Sequence, residues 1–320
     1  MGMYCFGIDV GGTSVKCGLF LTNGTLVEQW EIPTRLENNG SSILPDVADA
    51  IKTKLDERGI TKDNVDGVGI GIPGPVNENG EVPMAVNLHW GFKAVASELS
   101  ALTGLPAKAA NDANIAALGE AWKGAAEGAK NVTLVTLGTG VGGGIIIDGK
   151  IFSGFNSAGA EIGHTVIVKG GRPCMCGRRG CWEKYASARA LSEDTCKAMQ
   201  QNKDNIMWSY VEGDLSRVNA KTAFDAMRAG DILAKEVVDT FLEYVACGIV
   251  NVINIFQPEI LCIGGGISKE GDTLLKPLQA LVDEEDFART NAVRTKIVTA
   301  KLFNDAGIVG AACLGRQQAL

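Results

Sequence analysis

Three cysteines and a histidine are the residues whose types and spacing speak most directly of chemistry. Cys174, Cys176 and Cys181 form a C-x-C-x4-C pattern that starts ten residues beyond His164. Three thiolates and one imidazole complete a tetrahedral zinc shell, and with no coordination position left open such an ion is structural. Ordinary reduced thiols beside an unrelated histidine are the alternative; close cysteine spacing with Gly177 and Gly180 interposed favours the metal knuckle. Carboxylates stand at either end of the segment, Glu161 before it and Glu183 after it, so a metal here would hold both in place.

A second kind of chemistry is suggested by glycine. The chain holds 41 glycines, gathered into clusters that follow apolar, β-type runs. Asp9-Val10-Gly11-Gly12-Thr13 sits at a strand end, where glycines let backbone N–H groups face an anion, Thr13 adds a hydroxyl and Lys16 adds a charge. Asp9 is then suited to hold a hydrated Mg²⁺. A plain Gly-rich β-hairpin is the other reading. Neither a P-loop nor a dinucleotide fingerprint matches, because the turn has no Gly-Lys-Ser/Thr ending and leads into a strand. Gly138-Thr139-Gly140 repeats the arrangement, and two such turns could grip the phosphates of one nucleotide. Gly264-Gly265-Gly266, after another apolar strand, offers backbone against which an adenine or ribose could lie.

Asn111-Asp112 opens a helix. Asp112 is either its N-cap or a carboxylate placed to take the proton of an attacking hydroxyl in phosphoryl transfer.

The elements that must position these groups are legible in outline. Strands are expected over 4–9, 15–21 and 26–32, with a turn at Asn23-Gly24. An amphipathic helix is expected over 43–58, with Pro45 in its first turn and Gly59 past its end. A strand over 65–72 closes at Pro73-Gly74-Pro75, and an irregular stretch carries Asn87-Leu88-His89-Trp90. A helix over 93–103, a strand over 107–109 and a helix over 115–123 follow. The strand 132–137 and its glycine turn repeat the layout of the opening hairpin, which suggests an internal duplication. Beyond the cysteine loop come helices over 184–200, 220–229, 231–256, 274–284 and 306–317, with strands over 260–263 and 296–299. The polar stretch 201–219 has no readable periodicity.

At 320 residues, with 46% hydrophobic and 21% charged residues, the chain is long enough for two domains with full cores. A net charge of −7 argues against nucleic acid or an anionic membrane as partner. No apolar run approaches the roughly 20 residues of a membrane span, and no secretory signal opens the chain. Nine cysteines, an odd number scattered through apolar segments, fit reduced thiols in the cytoplasm.

Taken in order, Asp9-Val10-Gly11-Gly12-Thr13, Pro73-Gly74-Pro75, Asn111-Asp112-Ala113-Asn114, Leu137-Gly138-Thr139-Gly140-Val141-Gly142-Gly143-Gly144, Glu161-Ile162-Gly163-His164, the cysteine knuckle and Gly264-Gly265-Gly266 resemble the ROK family of sugar kinases, and within it the glucokinases. The resemblance runs along essentially the whole chain. It implies a two-domain α/β fold of the sugar-kinase, actin and heat-shock-chaperone kind, with duplicated mixed-sheet domains, flanking helices and a zinc knuckle. Residues 1–118 with 306–320 would form the N-terminal domain and 119–305 the C-terminal one, the two closing on ATP and sugar.

By the same resemblance, Asp112 is the general base that deprotonates a hexose 6-hydroxyl attacking the γ-phosphate. Gly74, Asn87, Asn111, Glu161, His164 and Glu183 would meet the sugar. Asp9, Gly11, Gly12, Thr13, Lys16, Gly138, Thr139 and Gly140 would serve the phosphates and Mg²⁺, and Gly265 and Gly266 the adenosine. His164, Cys174, Cys176 and Cys181 would hold structural zinc, His164 using its other ring nitrogen for the sugar. The chain departs from the family's usual residues at Ala160 (commonly Gly), Trp182 (commonly Leu) and Ala110 (commonly larger), none of which removes a required chemical group. Glucose is the expected substrate, feeding glycolysis; kinases for N-acetylmannosamine, fructose, mannose or allose, and a silent sugar sensor, are the alternatives. Polyphosphate is an alternative donor. A sugar-responsive repressor fits poorly, since Asp9 lies so near Met1 and the chain is acidic. The resemblance also implies a homodimer or larger homo-oligomer.

Overall fold

The computed structural model describes residues 2–316. Its strands form two five-stranded sheets. The first contains β1 (Tyr4–Val10), β2 (Ser14–Leu21), β3 (Leu26–Pro33), β4 (Val65–Ile72) and β5 (Ala107–Asn111), in the order β3-β2-β1-β4-β5. The second contains β6 (Val132–Leu137), β7 (Val141–Ile147), β8 (Lys150–Ile151), β9 (Ile260–Gly264) and β10 (Lys296–Thr299), in the order β10-β9-β6-β7-β8. Counted from the first strand of each hairpin, the two orders are the same. The duplication suggested by the glycine turns is therefore a duplication of topology. Where register is seen, β1–β2, β2–β3 and β7–β8 run antiparallel, and β1–β4, β4–β5 and β9–β10 run parallel.

Among the described residues, eight main helices accompany the sheets: α1 (Ile43–Arg58), α2 (Val95–Thr103), α3 (Asp112–Lys123), α4 (Ala188–Gln201), α5 (Ala220–Arg228), α6 (Ile232–Phe256), α7 (Asp272–Glu285) and α8 (Ala306–Gly315). Helix α1 keeps the expected bounds because its ends are chemically marked. Gly59 terminates it at a φ of 61°, which an L-residue reaches only with strain. Leu44, Val47, Ile51 and Leu55 make its buried stripe. Gln317, placed by the sequence in the last helix, lies with 318–320 outside the described residues.

The chain divides into two compact units. One runs to Leu134, takes in Gly144–Ala160 and resumes at Lys301; the other is Val135–Gly143 with Glu161–Ala300. In the first, α8 packs at backbone distance: a Cβ on Gly7 would lie 1.9 Å from the Ile308 carbonyl, and one on Gly310 would lie 1.8 Å from that of Ile115. This close approach is why the last helix is built of small residues. Glu120, fully buried on α3, accepts backbone N–H groups from Ala125 (2.7 Å), Lys301 (3.1 Å) and Leu302 (2.8 Å), and so fixes where the chain returns to this unit. Such multiple donation is what makes a buried carboxylate tolerable.

In the second unit α6 is long and apolar enough to cross a membrane, but more than half of its most apolar window is buried against protein. The unreadable stretch 201–219 forms a helical turn at Met207–Tyr210 and a 3₁₀ turn at Leu215–Arg217. Met207 and Val211 join Met199, Ala226 and Ala234 in a small apolar cluster of their own.

Candidate active site

The first unit gathers the Asp9 turn and Asp112. Strands β1 and β2 pair up to Val10 and Val15, leaving Gly11 to Ser14 as a tight turn closed by Gly11 N–H to the Ser14 carbonyl (3.0 Å). Lys16 spans to the carbonyl of Asn304 (3.1 Å). Burial first, then the nearby Asp112 charge, push the Asp9 carboxyl up from 3.8 to about 6, with Lys16 pulling the other way. Burial likewise raises Asp112, offset in part by the Ala113 N–H and the Asn111 amide. Two carboxylates that resist joint ionisation are an arrangement a divalent cation relieves.

The sign of the Asp9 shift makes a test. Folding raises its pKa, so the penalty is absent below about pH 4, grows as pH rises, and is complete above about 6. The shift is worth on the order of 3 kcal/mol. In EDTA, Asp9→Asn should raise the unfolding temperature by a few degrees at pH 7.5, a gain that fades toward pH 4. A lower unfolding temperature at pH 7.5 would contradict this reading.

Helix α3 begins at Asp112, and its N-cap is Asn111, so the capping reading of Asp112 does not hold. Asn111 Oδ1 accepts the N–H groups of Ala113 (3.0 Å) and Asn114 (3.2 Å), while its Nδ2 donates to the Gly74 carbonyl (3.1 Å) and to Asp112 Oδ1 (2.9 Å). Both donors and both lone pairs of the amide are thereby used. Asn111 thus clamps Asp112 to the Pro73–Pro75 turn, and a ring hydroxyl would have to displace one of these partners. Gly74, at a φ of 143°, faces Ala85, with which Trp90 exchanges two backbone hydrogen bonds. Buried Leu88 and Trp90 pin that loop and leave Asn87 exposed. Asn87, Gly74, Asn111 and Asp112 therefore belong to one connected surface.

The second unit gathers the other residues. His164 Nδ1 lies 3.7 Å from Cys174 Sγ, Cys176 Sγ lies 3.6 Å from Cys181 Sγ, and all four ligand atoms fall within 4.8 Å of one another. Zinc–sulfur bonds of about 2.3 Å put tetrahedral sulfur–sulfur edges near 3.8 Å. The donor set therefore fits a zinc ion, and among the described residues it is the cluster of this kind. Glu161 precedes the short 3₁₀ turn Ile162–His164 and is exposed. A Cβ on Gly163 would meet the Val141 carbonyl at 2.0 Å, which seats this turn on the start of β7.

Glu183 is placed by its predecessor. Trp182 is fully buried, donates from Nε1 to the Tyr244 carbonyl (2.8 Å) and lies against Gly248, where a Cβ would come within 1.9 Å of its ring. Trp182 and Gly248 are matched in shape, which accounts for an indole at a position where the family commonly has Leu. Arg172 braces the same segment. It donates to the Lys184 carbonyl (2.9 Å) and to Asp194 (2.8 Å), and its guanidinium lies over the Tyr185 ring at 4.5 Å. Neither Arg172 nor Gly248 was legible as functional, because their partners are distant in sequence.

Thr139 and Gly266 line one cavity of about 950 Å³, together with Arg189, Phe224, Arg228 and Ile267. That is the size range of small-ligand sites. Gly265 beside it has a φ of 82° and a backbone packed on Leu137, where a Cβ would meet the carbonyl oxygen at 2.4 Å. Arg189, Phe224 and Arg228 were missed in the sequence because nothing in their local spacing marks them.

Residues 5–318 match the ROK family. The chain belongs to the ROK family. The glucokinase of Halalkalibacterium halodurans is 42% identical to this ROK-family chain over 98% of its length and 94% of the relative's. A crystal structure of a ROK family glucokinase from Streptomyces griseus, in complex with glucose and AMPPNP, is similar at a TM-score of 0.75 and 32% identity, covering 98% of this chain and 100% of that one. The ROK hexokinase of Thermus thermophilus reaches a TM-score of 0.81 at 28% identity, with 98% of each chain covered. The ROK-family kinase fold implied by the motifs, two mixed sheets with flanking helices, is the fold found.

Proposed function

We propose that this protein is an ATP-dependent glucokinase that transfers the γ-phosphoryl group to the 6-hydroxyl of glucose. The observation that carries the proposal is Asp112. It is a solvent-accessible carboxylate on the first residue of α3, raised in pKa by desolvation and held by a fully engaged Asn111. A base with these properties accepts a hydroxyl proton as the oxygen attacks phosphorus, and a pKa raised toward neutrality makes the acceptance more favourable. The glucokinase relative and the glucose and AMPPNP bound to the structural neighbour support the choice of substrates.

In this reading Glu161, His164 and Glu183 read the ring hydroxyls, with Gly74 and Asn87 lining the sugar. His164 presents Nδ1 to the thiolates, so Nε2 is the nitrogen for the sugar. Zinc contributes structure alone: it ties His164 to the knuckle that precedes Glu183. The turns at 11–13 and 138–140 receive the phosphates, and Lys16 adds positive charge beside Asp9. The adenosine occupies the cavity lined by Thr139, Phe224 and Gly266. Mg²⁺ on the donor, held through water by Asp9, would neutralise phosphate charge. Asn111 acts as a positioning residue for Asp112.

Incubation with MgATP and glucose should yield ADP and glucose 6-phosphate in equal amounts, read by ³¹P NMR. ATP hydrolysis without sugar phosphate would contradict the proposal.

A further inference from the structure

The turn Gly138–Gly140 and the carboxylate of Glu183 are assigned to opposite substrates, yet they touch. Glu183 Oε2 accepts the N–H of Val141 at 3.3 Å. A Cβ built on Gly140 would lie 2.3 Å from that same oxygen and 3.2 Å from Cδ. Its three nearest neighbours are all atoms of Glu183, Cγ being the third at 3.8 Å, and Gly140 has no positive φ that would demand glycine. The missing side chain at 140 is therefore not demanded by a left-handed φ. It makes room for one carboxylate.

That carboxylate is otherwise well located. Trp182 anchors its N-terminal side through Tyr244 and Gly248, and the Ala188 N–H donates to the Gly138 carbonyl at 2.8 Å on its C-terminal side. Backbone on both flanks is thus held, and the remaining freedom is in the Glu183 side chain. Its end point is set by the Val141 N–H and by the space above Gly140.

We propose that Gly140 is a positioning residue for the sugar, in addition to any contact with phosphate: its lack of a Cβ seats Glu183 on the glycine turn, at the place from which it reads a ring hydroxyl. The proposal rests on the reading of Glu183 as a sugar contact. An alanine at 140 displaces the flexible end of Glu183, the nearest group its Cβ would meet. A hydrogen bond to an ionised group is then lost or misaligned in the sugar complex.

The test is glucose binding measured by calorimetry on the full chain without any nucleotide, where a role confined to phosphate has no effect. Gly140→Ala should weaken glucose binding about tenfold or more, the size of one charge-assisted hydrogen bond. Glu183→Ala should weaken it at least as much, and adding Gly140→Ala to Glu183→Ala should change nothing further. Gly91→Ala is the control, since Gly91 has no assigned role and a Cβ there meets nothing within 4 Å. Zinc content and thermal unfolding check that each variant is folded. If Glu183→Ala weakens glucose binding and Gly140→Ala leaves it within twofold, the positioning role of Gly140 is overturned while the reading of Glu183 stands. If Glu183→Ala itself leaves binding unchanged, the sugar-reading role of Glu183 falls, and this proposal falls with it.

Discussion

Replacing Asp112 with asparagine should lower kcat by about 10²- to 10⁴-fold, the contribution typical of a positioned general base. Glucose binding should stay within a few-fold of the wild type. The substitution is conservative in shape: an amide oxygen at the same place can still accept from Ala113 N–H and Asn111 Nδ2, now 2.8 and 2.9 Å away. What disappears is the ability to take a proton. Because burial raises the Asp112 pKa, removing its charge should leave folding stability unchanged or slightly improved. A folded, glucose-binding variant with little turnover is the expected result, read by steady-state kinetics beside calorimetry. Retention of more than a tenth of wild-type kcat would remove Asp112 from the role of base. In the wild type the acid limb of the rate profile should lie above the ordinary carboxylate range, since the base must be ionised to act and its pKa is raised.

The second large effect belongs to the knuckle. Cys176 is exposed, so removing its side chain sacrifices little packing, and the effect of Cys176→Ala reports on the metal. Three remaining donors do not close a tetrahedral shell. Zinc content by elemental analysis should fall from about one per chain to a small fraction of that, and the KM for glucose should rise by about tenfold or more, as for a lost partner of a metal site. Dialysis of the wild type against a strong chelator should reproduce the rise, and zinc should reverse it. The expected loss is mainly in KM, since zinc at this site would take no part in the proton transfer and would act by fixing His164 and the chain leading to Glu183. Full zinc content with an unchanged KM would overturn the assignment.

Local signals carried the fold a long way, and their limits have physical causes. Strand β4, strand β6 and helix α1 have the expected bounds because apolar runs there meet unambiguous punctuation: Pro73-Gly74-Pro75, Gly138 and Gly59. Helix α3 starts three residues before the expected Ile115 because capping by Asn111 outweighs the weak apolar pattern of Asp112-Ala113-Asn114. Stretch 201–219 was opaque because its order comes from turns capped by Asp214 and Asn219 and from a few buried side chains, with no periodicity to detect.

The candidate site divides along the same line. Residues that approach a ligand by backbone advertise themselves as glycine clusters, and metal ligands by cysteine spacing. Residues that hold others in place do not. Glu120, Arg172 and Gly248 act through partners far along the chain, at Lys301, Asp194 and Trp182. Ala160 is instructive in the opposite direction. Its φ of 66° explains why glycine is usual there, and alanine bears a strain of roughly 1 kcal/mol.

The central claim is that this chain phosphorylates glucose, and a coupled ADP-release assay across a panel of hexoses tests it most directly. The panel should include glucose, mannose, fructose, allose and N-acetylmannosamine, each with MgATP and purified wild-type protein. Glucose should give the highest kcat/KM. A higher value for another sugar would reassign the substrate, and ADP release with no hexose in the panel would contradict the account.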